Sequence, residues 1–198
     1  MVAVLTLVAL AGVAVTLGAL IVLHVAPSGL SPLRDPVSAY GISPHSALYR
    51  VQTLGTAVAA AALAIALPAT DLPATLPAIV ALIVLAVARA VISWAPMDAP
   101  GTARTSTGRL HNVLAFGAFA AASVGGFMTA IAFGATSGLS AAAAASSALG
   151  WLMTAASVLT IVSAATPALR GVFGLAERLI YVGMIAWLAL TAVVLLGW

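Results

Sequence analysis

Residues 2–24 read VAVLTLVALAGVAVTLGALIVLH and contain no Asp, Glu, Lys or Arg. A helix needs about 20 apolar residues to cross the hydrocarbon core of a bilayer, so this segment is long enough to span it. Further windows of comparable length and hydropathy lie at approximately 47–67, 72–93, 110–133, 142–164 and 175–197. The pattern predicts an all-α polytopic integral membrane protein, a six-transmembrane-helix bundle in which residues 1–198 form a single domain.

The composition excludes a soluble globular fold. Of the 198 residues, 64% are hydrophobic and 6% are charged, and the mean hydropathy is +1.23, whereas soluble domains carry roughly a quarter charged residues. The absence of Cys excludes disulfides, thiolate metal sites and a Cys nucleophile, and the absence of Lys excludes Schiff-base chemistry. The seven arginines are spread along an apolar chain and form no basic stripe, so we expect no nucleic-acid partner.

The polar residues concentrate in three of the five connections between the predicted spans. We call the connections after spans 1, 3 and 5 loops 1, 3 and 5, and the membrane face that they share the polar face. The connections after spans 2 and 4 are short, and Asp71 is the charged residue that they carry. The residues in or near loops 1, 3 and 5 are His24, Arg34, Asp35, His45, Arg50, Arg89, Asp98, Arg104, Arg109, His111, Arg170, Glu177 and Arg178. All candidate chemistry is therefore expected at the polar face.

Loop 1, about 20 residues from Pro27 to Ser46, is long for a connection in a compact fold. Its turn formers at Arg34-Asp35-Pro36 and Tyr40-Gly41 predict an ordered loop. Ser43-Pro44 has the pattern of an N-cap followed by Pro at the first helical position. We therefore expect the second helix to begin directly after Ser43.

Charged and polar side chains at the polar face predict an interfacial pocket formed by loops 1, 3 and 5. Arginine binds phosphate or carboxylate through two hydrogen bonds, so Arg34 and Arg109 are candidate anion clamps for a lipid-like or other amphipathic anionic molecule. The acid–base candidates are Asp35, Asp98, His111 and Glu177, and the further candidate ligand contacts are Ser38, Tyr40, His45 and Arg178. The competing interpretation is that these residues are interfacial ion pairs and snorkelling arginines.

Other functions remain open from the sequence. A metal at His45, His111 and Asp98 would make the protein a metal-dependent membrane hydrolase, but the histidines form no H-x-x-H or H-E-x-x-H motif, so no cofactor is predicted. Acids beside an apolar cavity would also suit an acid-initiated isoprenoid-processing enzyme. A small-solute transporter would need a polar path through the middle of the spans, and none is evident. The sequence does not decide between an enzyme and a binding protein.

Two groups within the spans have alternative interpretations. Gln52, Thr53 and Thr56 share one side of span 2 and either extend the pocket or hydrogen-bond a neighbouring helix, and we expect the second. Gly117, Ala121 and Gly125 recur every four residues on span 4. Such a stripe allows close helix packing, either within one chain or in a homo-oligomer formed through span 4.

Three motifs resemble those of the bacterial and archaeal membrane family catalogued as domain of unknown function 998. They are SPLRDPVS at 31–38, APMDAPG at 95–101 and GRLH at 108–111, and GLAER at 174–178 resembles the start of the family's last span. The similarity covers essentially the whole chain, and it implies six helices and no established activity. The first loop is more faintly similar to the eukaryotic Frag1/DRAM/Sfk1 proteins, which are associated with lipid remodelling.

The orientation in the membrane follows from two conflicting signals. The positive-inside rule places the arginine-bearing loops in the cytoplasm. Relatives in the resembled family commonly carry a basic N-terminal tail, which implies the opposite orientation. Because the arginines here lie mostly within motifs, we expect a plasma (inner) membrane protein with loops 1, 3 and 5 on the extracytoplasmic side.

Overall fold

The computed structural model describes residues 1–197, and six α-helices with no β-strand form its secondary structure in that range. The helices are α1 Val2–Val25, α2 Ser46–Ala66, α3 Leu76–Ile92, α4 Ser106–Gly134, α5 Ser140–Ala165 and α6 Phe173–Leu195. Short 3-10 helices lie at Val37–Ile42, Leu67–Ala69 and Pro167–Val172. Residue 198, which the predicted domain includes, lies outside the described residues.

Five of the six helices are long and apolar enough to cross a membrane, and α3, with 17 residues, is a shorter apolar helix. The predicted fold class, an all-α polytopic membrane helix bundle, is confirmed. Two helix starts differ from the predicted windows by four residues, and the others agree within two. Helix α3 begins at Leu76 rather than 72, after a turn in which Ala74 has a φ of 55°. Helix α4 begins at Ser106 rather than 110 because Thr105 caps its N-terminus.

Consecutive helices pack against each other, and α6 closes the ring by packing on α1. Helix α6 also touches α2 and α4, and its interior face carries the fully buried Trp187, Ile180 and Met184. By contrast, α1 leaves large apolar side chains such as Leu7 and Ile21 exposed. This distribution is that of a bundle whose outer surface faces lipid, where exposed apolar side chains carry no penalty.

Helices α1 and α2 approach each other through glycine. A Cβ atom at Gly12 would lie 2.7 Å from the carbonyl oxygen of Gly55, and one at Gly55 would lie 2.7 Å from Oγ1 of Thr16. Thr16 also bridges the helices, since its hydroxyl donates to the carbonyl of Gln52 at 3.2 Å and lies 3.3 Å from the hydroxyl of Thr56. The expectation that span 2 hydroxyls bond a neighbouring helix therefore holds for Thr56.

The small-residue stripe of α4 packs partly inside the chain. Ala121 is buried, and a Cβ atom at Gly125 would overlap the indole ring of Trp187 on α6. Gly117 has open space around the position of its Cβ. Two of the three residues therefore serve packing within one chain, and a homo-oligomer through span 4 stays a prediction.

The close approach of α1 and α2 makes Gly12→Ala a destabilising substitution. The added methyl group forces the helices apart, and overpacking of this kind costs about 1–3 kcal/mol. Gly18→Ala is the matched control, because nothing lies within 4 Å of its Cβ position on the same helix. Thermal unfolding in detergent should show a lower midpoint for Gly12→Ala than for the wild type and no decrease for Gly18→Ala. Equal midpoints for the two variants would contradict the packing argument.

Candidate functional site

Loop 1 is ordered, as the sequence predicts. Its 3-10 helix at Val37–Ile42 buries four consecutive side chains from Val37 to Tyr40. The predicted N-cap role of Ser43 is wrong, because α2 begins at Ser46. The Ser43 hydroxyl instead donates to the carbonyl of Tyr40 at 2.8 Å and accepts from the amide of His45 at 3.1 Å. Ser43 therefore closes the turn that ends the 3-10 helix.

Loop 1 is bound to the start of α6 by three hydrogen bonds. The amide of Leu175 donates to the carbonyl of Leu33 at 3.0 Å. The Arg178 guanidinium donates to the carbonyl of Asp35 at 2.8 Å, and the amide of Val37 donates to Oε2 of Glu177 at 2.6 Å. Glu177, at 5% exposure, is thus fixed by loop 1 backbone.

Arg178 also ties loop 1 to α1. Its Nε donates to Nε2 of His24 at 2.6 Å, while His24 Nδ1 lies 2.6 Å from the carbonyl of Leu20. The His24 ring lies against the ring of Tyr40, with centroids 5.8 Å apart. The predicted ligand contacts Tyr40 and Arg178 therefore belong to one set of contacts that joins α1, loop 1 and α6.

The first turn of loop 1 is held by Asp35. Its Oδ2 accepts from the amide of Ser31 at 2.6 Å, which closes the turn over residues 31–35. Gly174 lets α6 approach this turn, since a Cβ atom there would lie 2.5 Å from the carbonyl oxygen of Asp35. The SPLRDP stretch and Gly174 are therefore complementary parts of one contact.

In loop 3, Asp98 organises the start of α4. Its carboxylate accepts from the hydroxyl of Thr105 at 2.6 Å and from the amide of Thr105 at 3.1 Å, and Thr105 Oγ1 accepts from the amide of Gly108 at 3.0 Å. These hydrogen bonds from Thr105 lower the pKa of Asp98. Asp98 is therefore ionised at neutral pH and holds no proton to donate.

His111 is held by the backbone of loop 3. Its Nδ1 lies 2.7 Å from the carbonyl oxygen of Ala95, and because a carbonyl only accepts, Nδ1 carries the proton. This hydrogen bond sets the neutral ring in the tautomer whose Nε2 has a free lone pair. His111 is 3% exposed and buried between loops 1 and 3.

A large cavity of about 650 Å³ lies between α4 and α5 and ends at loops 1 and 3 and the first turns of α6. Its walls are mainly apolar and include Phe116, Phe119, Phe127, Val158 and Ile161. Ser38, His111, Asn112 and Glu177 line it as well, and all four belong to the polar face or to the helix turns next to it. Hydroxyls of Ser123, Thr154, Ser157 and Thr160 interrupt the walls. The cavity therefore combines mainly apolar walls with an end that carries an imidazole and a carboxyl group.

A second, smaller chamber of about 100 Å³ adjoins this polar end. The polar residues that line it are Ser38, Ser46, Tyr49, Arg50, Ser93 and His111. Ser38 and His111 line both spaces, so these two residues form the boundary between the cavity and the chamber.

Sequence reasoning missed a buried polar cluster between α2, α3 and α6. Arg89 is 1% exposed. It donates to the hydroxyl of Tyr181 at 3.0 Å and to Oε1 of Gln52 at 2.9 Å. Its guanidinium carbon also lies 5.0 Å from the centre of the Tyr181 ring. Gln52 therefore bonds a neighbouring helix, as does Thr53, whose hydroxyl lies 2.6 Å from that of Ser93. Glu177 completes the set of nearby buried groups. A charged residue inside a predicted span was the signal that could have identified this cluster.

The predicted site residues divide into two groups. Ser38, His111 and Glu177 line the large cavity. The other seven line neither space: Arg34, Asp35, Tyr40, His45, Asp98, Arg109 and Arg178. Arg34 and Arg109 are exposed, and their role as anion clamps stays a prediction.

No group of three or more His, Asp or Glu side chains positioned to hold a metal ion occurs within residues 1–197. The hypothesis of a metal at His45, His111 and Asp98 therefore gains no support from the geometry.

Arg178 donates to loop 1 at Asp35 and also to His24 on α1, so we expect Arg178→Gln to loosen loop 1 from both helices. Hydrogen bonds to a charged group contribute about 1.5–3 kcal/mol each, so amide hydrogen exchange in residues 31–42 should accelerate by about tenfold or more. Arg170→Gln removes the same charge from an exposed position at the same face and serves as control. Unchanged exchange in Arg178→Gln would show that loop 1 does not depend on this side chain.

Comparison with known proteins gives one family match. No curated protein and no solved structure matches the chain. The matching family is described as a protein of unknown function, DUF998, and the match extends over residues 10–194. With nearly its whole length matched, the chain belongs to the DUF998 family of membrane proteins.

Proposed function

We propose that this membrane protein binds a lipid-like or other amphipathic molecule, with the apolar chain of the ligand in the large cavity and its polar head at the polar face. The observation that carries the proposal is the lining of the cavity, whose walls along α4 and α5 are mainly apolar with isolated hydroxyls, while its imidazole and carboxyl groups, His111 and Glu177, lie at one end. Its volume of about 650 Å³ falls within the range of about 300–1,000 Å³ usual for small-molecule sites.

The polar end is held in place before any ligand binds. Glu177 is fixed by the amide of Val37, and His111 is fixed by the carbonyl of Ala95. A site whose polar groups are already positioned loses less conformational freedom on binding. Loop 1 supplies both Ser38 and the amide that fixes Glu177, so order in loop 1 supports ligand binding directly.

An enzyme that acts on the same ligand is the second candidate. His111 and Glu177 both line the cavity, and a histidine with one free ring nitrogen or a carboxyl group can transfer protons to or from a bound molecule. A binding protein and an enzyme respond differently to His111→Ala. The enzyme should lose turnover and keep its ligand, whereas the binding protein should lose ligand and function in parallel.

Ser157→Phe tests the cavity as the binding site. Ser157 lines the cavity on α5, and its hydroxyl is buried without a partner within residues 1–197, so the substitution fills the space and breaks no hydrogen bond there. We expect native mass spectrometry from mild detergent to show a co-purified amphipathic mass on the wild type and at least about tenfold less on Ser157→Phe, since occlusion removes the apolar contacts.

The control is Ala155→Phe, which adds the same ring at an exposed position of α5 outside the cavity. It should retain the ligand at the wild-type level. Equal retention by Ser157→Phe and Ala155→Phe would contradict the proposed site, as would a wild-type protein that retains no amphipathic molecule even after incubation with lipid extract.

A further inference from the structure

One residue that lines the small chamber beside the cavity has a buried hydroxyl without a hydrogen-bond partner among residues 1–197. Tyr49 is 3% exposed, lines the chamber, and its hydroxyl is buried with no hydrogen-bond partner in the described part of the chain. Leaving a buried hydroxyl without a partner is costly, so such a group points to a partner that the folded chain does not itself supply.

The charge of the chamber favours an anion as that partner. Arg50 lines the chamber together with the hydroxyl residues Ser46 and Ser93, and no Asp or Glu among residues 1–197 does so. Glu177 lines the large cavity instead. Arginine and hydroxyl donors form charge-assisted hydrogen bonds with carboxylate and phosphate oxygens, which are shorter and stronger than neutral ones.

The size of the chamber limits what can enter. A space of about 100 Å³ holds a few heavy atoms and not an acyl chain. Ser38 and His111 line both spaces, so the chamber adjoins the polar end of the cavity, where the terminal group of a molecule whose chain lies in the cavity would be. A carboxylate or a phosphate monoester is small enough for the chamber, and its negative charge is opposite to that of Arg50.

We propose that the chamber is the head-group site of the bound amphipathic molecule and that it selects a small acidic head, with Tyr49 and Arg50 as the binding residues. The inference rests on the proposed function, because the chain of the ligand occupies the large cavity. The anion therefore binds to Arg50 and to the Tyr49 hydroxyl, and neither residue was among the predicted site residues. The predicted anion clamps, Arg34 and Arg109, line neither space.

Four probes that share one 16-carbon chain test the head-group preference: hexadecanoate, hexadecyl phosphate, hexadecanol and hexadecylamine. We expect native mass spectrometry of the full-length protein at neutral pH to show both acids retained at least about tenfold more than the alcohol or the amine. Inorganic phosphate at millimolar concentration, added alone, should neither be retained nor displace hexadecanoate, because it lacks the chain.

Tyr49→Phe and Arg50→Gln should each reduce acid retention about tenfold and leave alcohol retention unchanged. Tyr49→Phe removes a hydroxyl that makes no hydrogen bond within residues 1–197, so its effect cannot arise from a lost intramolecular bond. Arg34→Gln and Arg109→Gln are matched controls that remove the same charge from exposed positions at the same face. Both should bind all four probes as the wild type does.

The outcomes separate this inference from the proposed function. Equal retention of acids and alcohol, a preference for the amine, or loss of the acid preference in Arg34→Gln or Arg109→Gln would overturn the head-group assignment and leave the cavity proposal standing. Retention or competition by inorganic phosphate alone would show a free-anion site and overturn the assignment as well. Failure of the wild type to retain any of the four probes, or retention unaffected by Ser157→Phe, would overturn both.

Discussion

The site depends on the contact between loop 1 and the first turns of α6. Irregular backbone near a membrane must find partners for its amides and carbonyls, because lipid offers none. Helix α6 provides them with the amide of Leu175, the guanidinium of Arg178 and the carboxylate of Glu177. The first amides of a helix have no partner inside the helix, so the Leu175 amide is available for this role. Loop 1 can therefore lie over the bundle and bring Ser38 to the cavity.

The same contact shows why the GLAER motif at 174–178 contains both structural residues and residues of the candidate site. Glu177 fixes the amide of Val37 with one carboxylate oxygen and also lines the cavity. Anything that moves loop 1 therefore moves a group of the site. Arg178, by contrast, donates to Asp35, Gly174 and His24 and lines neither space. Its Nη1 donates to two backbone carbonyls and its Nε donates to the His24 ring, so one guanidinium joins α1, loop 1 and α6.

Much of the fold and part of the site could be predicted from the sequence. Hydropathy identifies six helices because each is a long apolar segment, but it does not reveal where capping extends a helix, as Thr105 does for α4. Ser38, His111 and Glu177 could be predicted because they belong to motifs at the polar face. Tyr49 and Arg50 could not, since they lie within a helix and their relation to the chamber depends on how α2 packs against its neighbours.

The hydrogen-bond partners of the buried polar groups indicate which groups are free to bind a ligand. Arg89 donates to Gln52 and Tyr181 and lies against the Tyr181 ring, and the Asp98 carboxylate accepts from Thr105. Arg178 donates to two carbonyls and to His24. The hydroxyl of Tyr49 is buried and still unpartnered in the described residues. A buried donor without a partner costs about 1–3 kcal/mol, and a ligand that accepts its hydrogen bond recovers that cost on binding. Within residues 1–197, the other buried side-chain atoms without a partner belong to Gln52, Arg89, Ser157 and Arg178, and of these only Ser157 lines either space, on the α5 wall of the cavity. The Tyr49 hydroxyl is therefore, in this range, the buried, unpartnered group of the chamber, and an acceptor bound there would recover its cost.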